Sequence, residues 1–236
     1  MNRIAKAALP LLLSLGMISS AAATVRVPLY DGPDHTRWQN ITIPGVNATQ
    51  FTKSSDGALI AECMAAFGMI VRELDDRVKD YPVLHWRWRV EHKPPATDAS
   101  QKGGDDRPIA VHIWFPTPEK ERGIWTSIGD TLSSFIGLPP NGRVITYMWG
   151  GKHKTRASFI NPHLPDRGMI VVKRSNDAAI SQWLTEKVDL AADYHRLFGT
   201  EAPTPSHIAI SADTDDTGVK SRAAISDLRF TVRNDQ

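Results

Sequence analysis

The chain of 236 residues has a single cysteine, Cys63, so no disulfide can form within it and its folded state must be held by an apolar core. Several common chemistries are also without their marks. None of the eight histidines belongs to a His-Glu-x-x-His pattern or a close His-x-His pair, which removes the usual zinc frameworks. There is no Gly-x-Ser-x-Gly elbow, and the glycine pairs at 103 and 150 lack the Lys-Ser/Thr that a phosphate loop needs. Triad hydrolysis and nucleotide binding lose their signatures together.

An excess of one charge is missing as well. The 28 basic and 26 acidic residues nearly balance, and residues 1–23 hold Arg3 and Lys6 but no acid, so the remainder is formally neutral. Overall charge therefore gives no footing for a nucleic-acid partner. Those first residues run Met-Asn-Arg-Ile-Ala-Lys, then an apolar stretch from Ala7 to Ile18, then small residues to Ala23. This is the layout of a secretory signal peptide with cleavage after Ala23. A run of about a dozen apolar residues, broken by Pro10, is shorter than the roughly 18 that span a bilayer. No Arg-Arg pair precedes it and no cysteine follows to carry a lipid. The expectation is an exported protein, periplasmic or extracellular, with no membrane span after cleavage and one domain over 24–236.

What is present is alternation. From Val83 to Val90, Leu84, Trp86, Trp88 and Val90 fall on one face and His85, Arg87 and Arg89 on the other, the period of a half-buried strand. In the next run Ile109, Val111, Ile113 and Phe115 oppose Ala110, His112 and Trp114. Residues 58–74 fit strand, connection, strand; 144–149, 168–174 and 183–190 read as further strands. The spacing at 124–136 predicts a short helix, and Ala191 to Phe198 predicts one or two helical turns stopped at Gly199. About ten strands with little helix predict an all-β fold, an antiparallel β-sandwich of jelly-roll type with one or two short helices.

Four groups of residues could carry chemistry. If the apolar sets face inward, His112 and Trp114 point outward on a sheet face that could also bear Arg87 and Arg89. An aromatic surface beside guanidinium groups suits a sugar ring, above all an acidic one. In the acidic stretch Asp213 to Gly218, Asp213 and Asp215 occupy the first and third places of a calcium-loop pattern, but the twelfth place is Ala224 and the bidentate carboxylate is absent. A structural calcium on Asp213 and Asp215 and a plain hairpin connection are both open readings, and no other cofactor is indicated. Paired carboxylates for glycoside hydrolysis would be drawn from Asp105 and Asp106, or Glu62 and Glu186. The basic turn Lys152 to Arg156 reads as solvated surface.

Taken together, Tyr81 to Val90, Gly104-Asp105-Asp106-Arg107, Ile145 to Trp149, Trp183-Leu184-Thr185-Glu186, Asp193 to Gly199 and Asp213 to Gly218 resemble the bacterial family catalogued as domain of unknown function 3047 (DUF3047). The resemblance spans roughly Leu59 to Phe230 and implies a secreted single domain; it brings no activity, substrate or catalytic residue. The closing pattern of apolar strand, Asp-rich turn and Ile-x-Asp-Leu-x-Phe is also similar to the last hairpin of jelly-roll carbohydrate-binding modules. The loop before Trp183 departs from the family pattern in lacking a glycine. The resulting expectation is a non-catalytic binding protein for a saccharide or other envelope component. A carboxylate hydrolase and a structural or assembly protein of the envelope are the alternatives.

Overall fold

The computed structural model describes residues 24–29, 37–116 and 142–233. The expected leader over 1–23 and the helix expected over 124–136 lie outside the described residues. Among those described, no helix is long and apolar enough to cross a membrane.

The strands form two sheets packed face to face, the antiparallel-dominated sandwich of jelly-roll type that the alternation predicts. Sheet I has the order β12 (Leu184–Asp189), β7 (Val83–His92), β14 (Lys220–Thr231), β5 (Leu59–Met64), β4 (Gln50–Lys53), with β1 (Thr24–Arg26) also on β14. Sheet II has the order β10 (Ser158–Ile160), β11 (Gly168–Arg174), β9 (Arg143–Trp149), β8 (Arg107–Phe115), β13 (His207–Asp213), β6 (Ala66–Glu73), β2 (Gln39–Ile41), with β3 (Asn47–Ala48) on β6. Among the described residues, only the β9–β11 and β3–β6 pairs are parallel. The strand–connection–strand reading of 58–74 holds, and the connection is one residue: Ala65, at φ 45°, passes the chain from sheet I to sheet II.

The apolar sets of β7 and β9 meet between the sheets. Trp86 and Trp88 are edge to face at 5.3 Å, Trp88 meets Trp149 at 5.6 Å, and Trp86 meets Tyr147 at 5.7 Å. All four rings are fully buried, and rings at this separation prefer such tilted contacts. Trp88 Nε1 donates to Glu186 Oε1 at 3.1 Å, and that buried carboxylate also accepts from Arg174 Nε at 2.5 Å. Cys63 is buried and free, as a lone cysteine in a strand suggests. The helix α1 (Leu190–Phe198) follows β12 where the sequence predicts it. Asp189 caps its first turn by accepting from Ala192 N at 3.0 Å, and Gly199, at φ 72°, ends it in the left-handed conformation glycine adopts without strain.

Candidate binding cleft

The four residues expected on one face divide between two. Trp86 and Trp88 point into the core, so Arg87 and Arg89 lie on the outer face of sheet I; Ile109, Val111 and Ile113 point into the core, so His112 and Trp114 lie on the outer face of sheet II. Alternation was read correctly in both strands. It reports inward or outward but not which sheet, and the loop 93–106 carries the chain from one to the other. The single composite face is therefore corrected to two opposite ones.

Sheet II carries the cleft. Its floor is the outer face of β6, β8, β9, β11 and β13, where Met69, Trp114 and Val144 pack into an apolar cluster with Ile41, Val71 and Ala209, and Phe67 and Leu164 lean on it. The cleft has a volume of about 450 Å³. Trp114 and His112 are 6% and 5% exposed, so they are set into its floor rather than forming the open platform the sequence suggested. The rings lie 5.6 Å apart. Segment 161–167, between β10 and β11, supplies Asn161, His163, Leu164 and Arg167 to the rim, and the loop ends at 105–107 and 213–216 close the other side.

A continuous polar network runs beneath that closed side. His112 Nδ1 meets Thr146 Oγ1 at 2.9 Å and its Nε2 meets Ser211 Oγ at 2.8 Å. Ser211 also accepts from Arg107 Nη2 at 3.3 Å. Arg107 Nη1 donates to the Asp105 carbonyl at 2.7 Å and carboxylate at 3.1 Å, and reaches Asp213 Oδ2 at 3.5 Å. His163 Nε2 approaches Asp105 Oδ1 at 3.1 Å from the rim. Burial, with Arg107 nearby, holds the His112 pKa well below that of a free imidazole, so the ring is neutral and both nitrogens serve the network.

The carboxylates of this network are driven apart. Burial alone would raise Asp105, but the hydrogen bond from His163 and the charge of Arg107 outweigh it and hold the group at about 2. Burial pushes Asp213 up to about 8 against the pull of Arg107, with Asp215 adding to the rise. One guanidinium cannot neutralise several acids, and its shorter contacts go to Asp105.

The suggested calcium pair stays in contact, Asp215 N donating to Asp213 Oδ1 at 3.4 Å, but the two carboxylates have different further neighbours. Asp213 faces Arg107, whereas Asp215 joins Asp106 and Asp216, whose ligand oxygens lie within 4.8 Å of one another. Asp106 is already engaged: its carboxylate accepts from Thr217 N at 2.8 Å, from the Thr217 hydroxyl, and from Asp216 N at 3.4 Å. The hairpin that the sequence suggests is not formed: β13 and β14 lie in different sheets, so 214–219 crosses the sandwich, and buried Asp106 from the loop before β8 ties down its turn.

Sequence reasoning did not find Met69, Thr146, Ser211 or His163. Outward parity beside Ile145 and Ile210 could have flagged Thr146 and Ser211; His163 sits in a loop without a periodic signal. Of the proposed hydrolase acids, Glu186 is a buried partner of Trp88, and Glu62 pairs with Arg222 at 2.7 Å on sheet I.

Residues 36–229 match the family described as "Protein of unknown function (DUF3047)". Solved structures with a similar arrangement of strands include carbohydrate-binding modules. The family 11 module from Clostridium thermocellum, in complex with a β-1,3-1,4-mixed-linked tetrasaccharide, is 9% identical with a TM-score of 0.43 over 90% of this chain and 98% of that one. The family 30 module of a cellulosomal cellulase of Clostridium thermocellum is 9% identical, with a TM-score of 0.43 over 90% and 99% of the two chains. The xyloglucanase domain of NopAA, a type three effector from Sinorhizobium fredii, in complex with cellobiose, is 9% identical with a TM-score of 0.44 over 83% and 93%. No curated protein matches the chain.

Proposed function

We propose that this chain, which belongs to the DUF3047 family, is an exported binding protein that takes a saccharide or another envelope component into the cleft of sheet II. The supporting observation is the make-up of the cleft: an apolar floor of Met69, Trp114 and Val144, with Leu164 leaning on it from the rim, meeting polar groups concentrated at the sides, in a volume of about 450 Å³. Ligand sites commonly fall between about 300 and 1,000 Å³ and combine these two features. The apolar floor would cover the carbon face of a ring, while His163, Asn161 and Arg167 at the rim reach its hydroxyls. His112, with both nitrogens occupied, shapes the floor. The leader-like start of the chain supports export.

Isothermal titration of the purified protein with soluble oligosaccharides from cell-wall and envelope polymers tests this reading. Leu164→Arg, at the rim, places a charge in the cleft without disturbing the core between the sheets. Binding is expected to fall at least about tenfold in that variant, with the unfolding midpoint retained. A ligand bound equally by both proteins would place its site elsewhere.

One observation favours a second reading, carboxylate-assisted hydrolysis. Asp105 and Asp213 line the same cleft on either side of Arg107, one held ionised and the other protonated near neutral pH, the division of labour a general acid and its partner require. Release of reducing ends from the bound oligosaccharide, lost in Asp213→Asn, would support it; binding without turnover would exclude it.

A further inference from the structure

The outer face of sheet I, across the sandwich from the cleft, carries its own aromatic group. Trp183 immediately precedes β12, whose first residue Leu184 pairs with Trp88. The guanidinium carbons of Arg87 and Arg89 lie 4.8 and 5.0 Å from its ring centroid. The chain reaches this position through Ser181, at φ 62°, which turns where the family pattern suggested a glycine and donates its backbone N–H to Val90 O at 2.7 Å. The sequence placed the wrong tryptophan beside these arginines.

A guanidinium resting on a ring uses its flat face and keeps its N–H edge for acceptors. On this face most such edges are taken. Arg89 pairs with Glu91 at 2.9 Å, Arg222 with Glu62 at 2.7 Å and Glu91 at 2.5 Å, and Arg229 with Asp227. Arg87 is different. It is exposed, its Nε donates to Ser226 Oγ at 3.3 Å, and no described carboxylate meets its two terminal nitrogens. Thr185 stands directly opposite it in register, and Lys187, exposed and also without a described carboxylate partner, pairs with His85 two residues along. Two uncompensated cations, a hydroxyl and a half-buried indole therefore share one patch of sheet.

We propose that this patch binds an acidic polysaccharide through its carboxylates, giving the protein two ligand-bearing faces on opposite sides of the sandwich. The planar fork of Arg87 matches a carboxylate bidentately, Lys187 meets the next charge along the polymer, and the edge of Trp183 lies against the ring that carries the acid. Patch and cleft share no residue, so either can fail while the other stands.

The test uses the purified protein with polygalacturonate, neutral dextran and inorganic polyphosphate as probes, measured by affinity electrophoresis at several salt concentrations. Polygalacturonate alone is expected to retard the protein, less so as salt rises. Arg87→Ala is expected to weaken retention about tenfold; Arg87→Lys, which keeps the charge but loses the fork, is expected to lose most of that, and Leu164→Arg none. Unchanged retention in Arg87→Ala, retention of dextran, or equal retention of polyphosphate would overturn the assignment.

Discussion

Asp213 offers the sharpest check on the polar network beneath the cleft. Its folded-state pKa is raised to about 8 from an ordinary 3.8. Between those values the native protein holds a proton that the unfolded chain has released, so stability is greatest below the lower value and falls as pH rises, until the folded group also ionises. Each pH unit inside that window costs at most about 1.4 kcal/mol, and the interval from pH 5 to 8 at most about 4 kcal/mol. That is a large share of the roughly 5–15 kcal/mol that holds a domain together. Asp213→Asn keeps the shape of the protonated acid and removes the titration. Urea unfolding followed by tryptophan fluorescence, at fixed ionic strength from pH 5 to 9, gives the stability of each protein. Contributions from Asp105 and His112 cancel in the difference. The variant's advantage should grow with pH and level off above about 8. A flat difference, or a wild type that gains relative to the variant as pH rises, would show Asp213 ionised against Arg107 and refute the reasoning.

Three further outcomes follow from other parts of the molecule. Glu186→Ala should cost about 2–3 kcal/mol in urea unfolding, because it strands the Trp88 indole N–H in the core and takes the carboxylate from a partly exposed Arg174. Gly104→Ala should lower stability by about 1–3 kcal/mol and weaken ligand binding in the cleft, since the added Cβ would lie 2.5 Å from the Asp98 carbonyl oxygen in the loop that presents Asp105; thermal melts and titration read the two effects. His112, neutral and buried, should show no titration of its ring resonances between pH 7 and 5, and a midpoint near 6.5 would contradict its place in the network.

The strands were legible because their two faces differ so strongly. In β7 the indoles of Trp86 and Trp88 alternate with Arg87 and Arg89, and in β8 branched residues alternate with His112 and Trp114, so periodicity alone located inward and outward sides. The stop of α1 at Gly199 was equally plain, since few residues adopt a positive φ readily. Partnership between strands was not legible. β7 and β8 are neighbours in sequence and sit in different sheets, and nothing local to either states that the intervening loop crosses the sandwich. The cleft suffered from the same gap: Met69, Thr146, Ser211 and Trp114 come from four strands that only the sheet order brings together. The acidic loop was visible as a dense run of Asp, but its division between Arg107 and the Thr217 turn depends on a contact more than a hundred residues away in sequence.

The strand order also sets when the protein can exist. β13 lies between β8 and β6 in one sheet, and β14 lies between β7 and β5 in the other. Both belong to the last stretch described, so each sheet receives a central strand only when His207 to Thr231 arrives. A chain stopped before His207 would leave unpaired edges on β5, β6, β7 and β8 and β1 without its partner, with their apolar faces open. Long-range pairing of this kind forms slowly, and exposed edges invite pairing with other chains. Synthesis from the N-terminus therefore delivers the joining strands to both layers after every strand that they join.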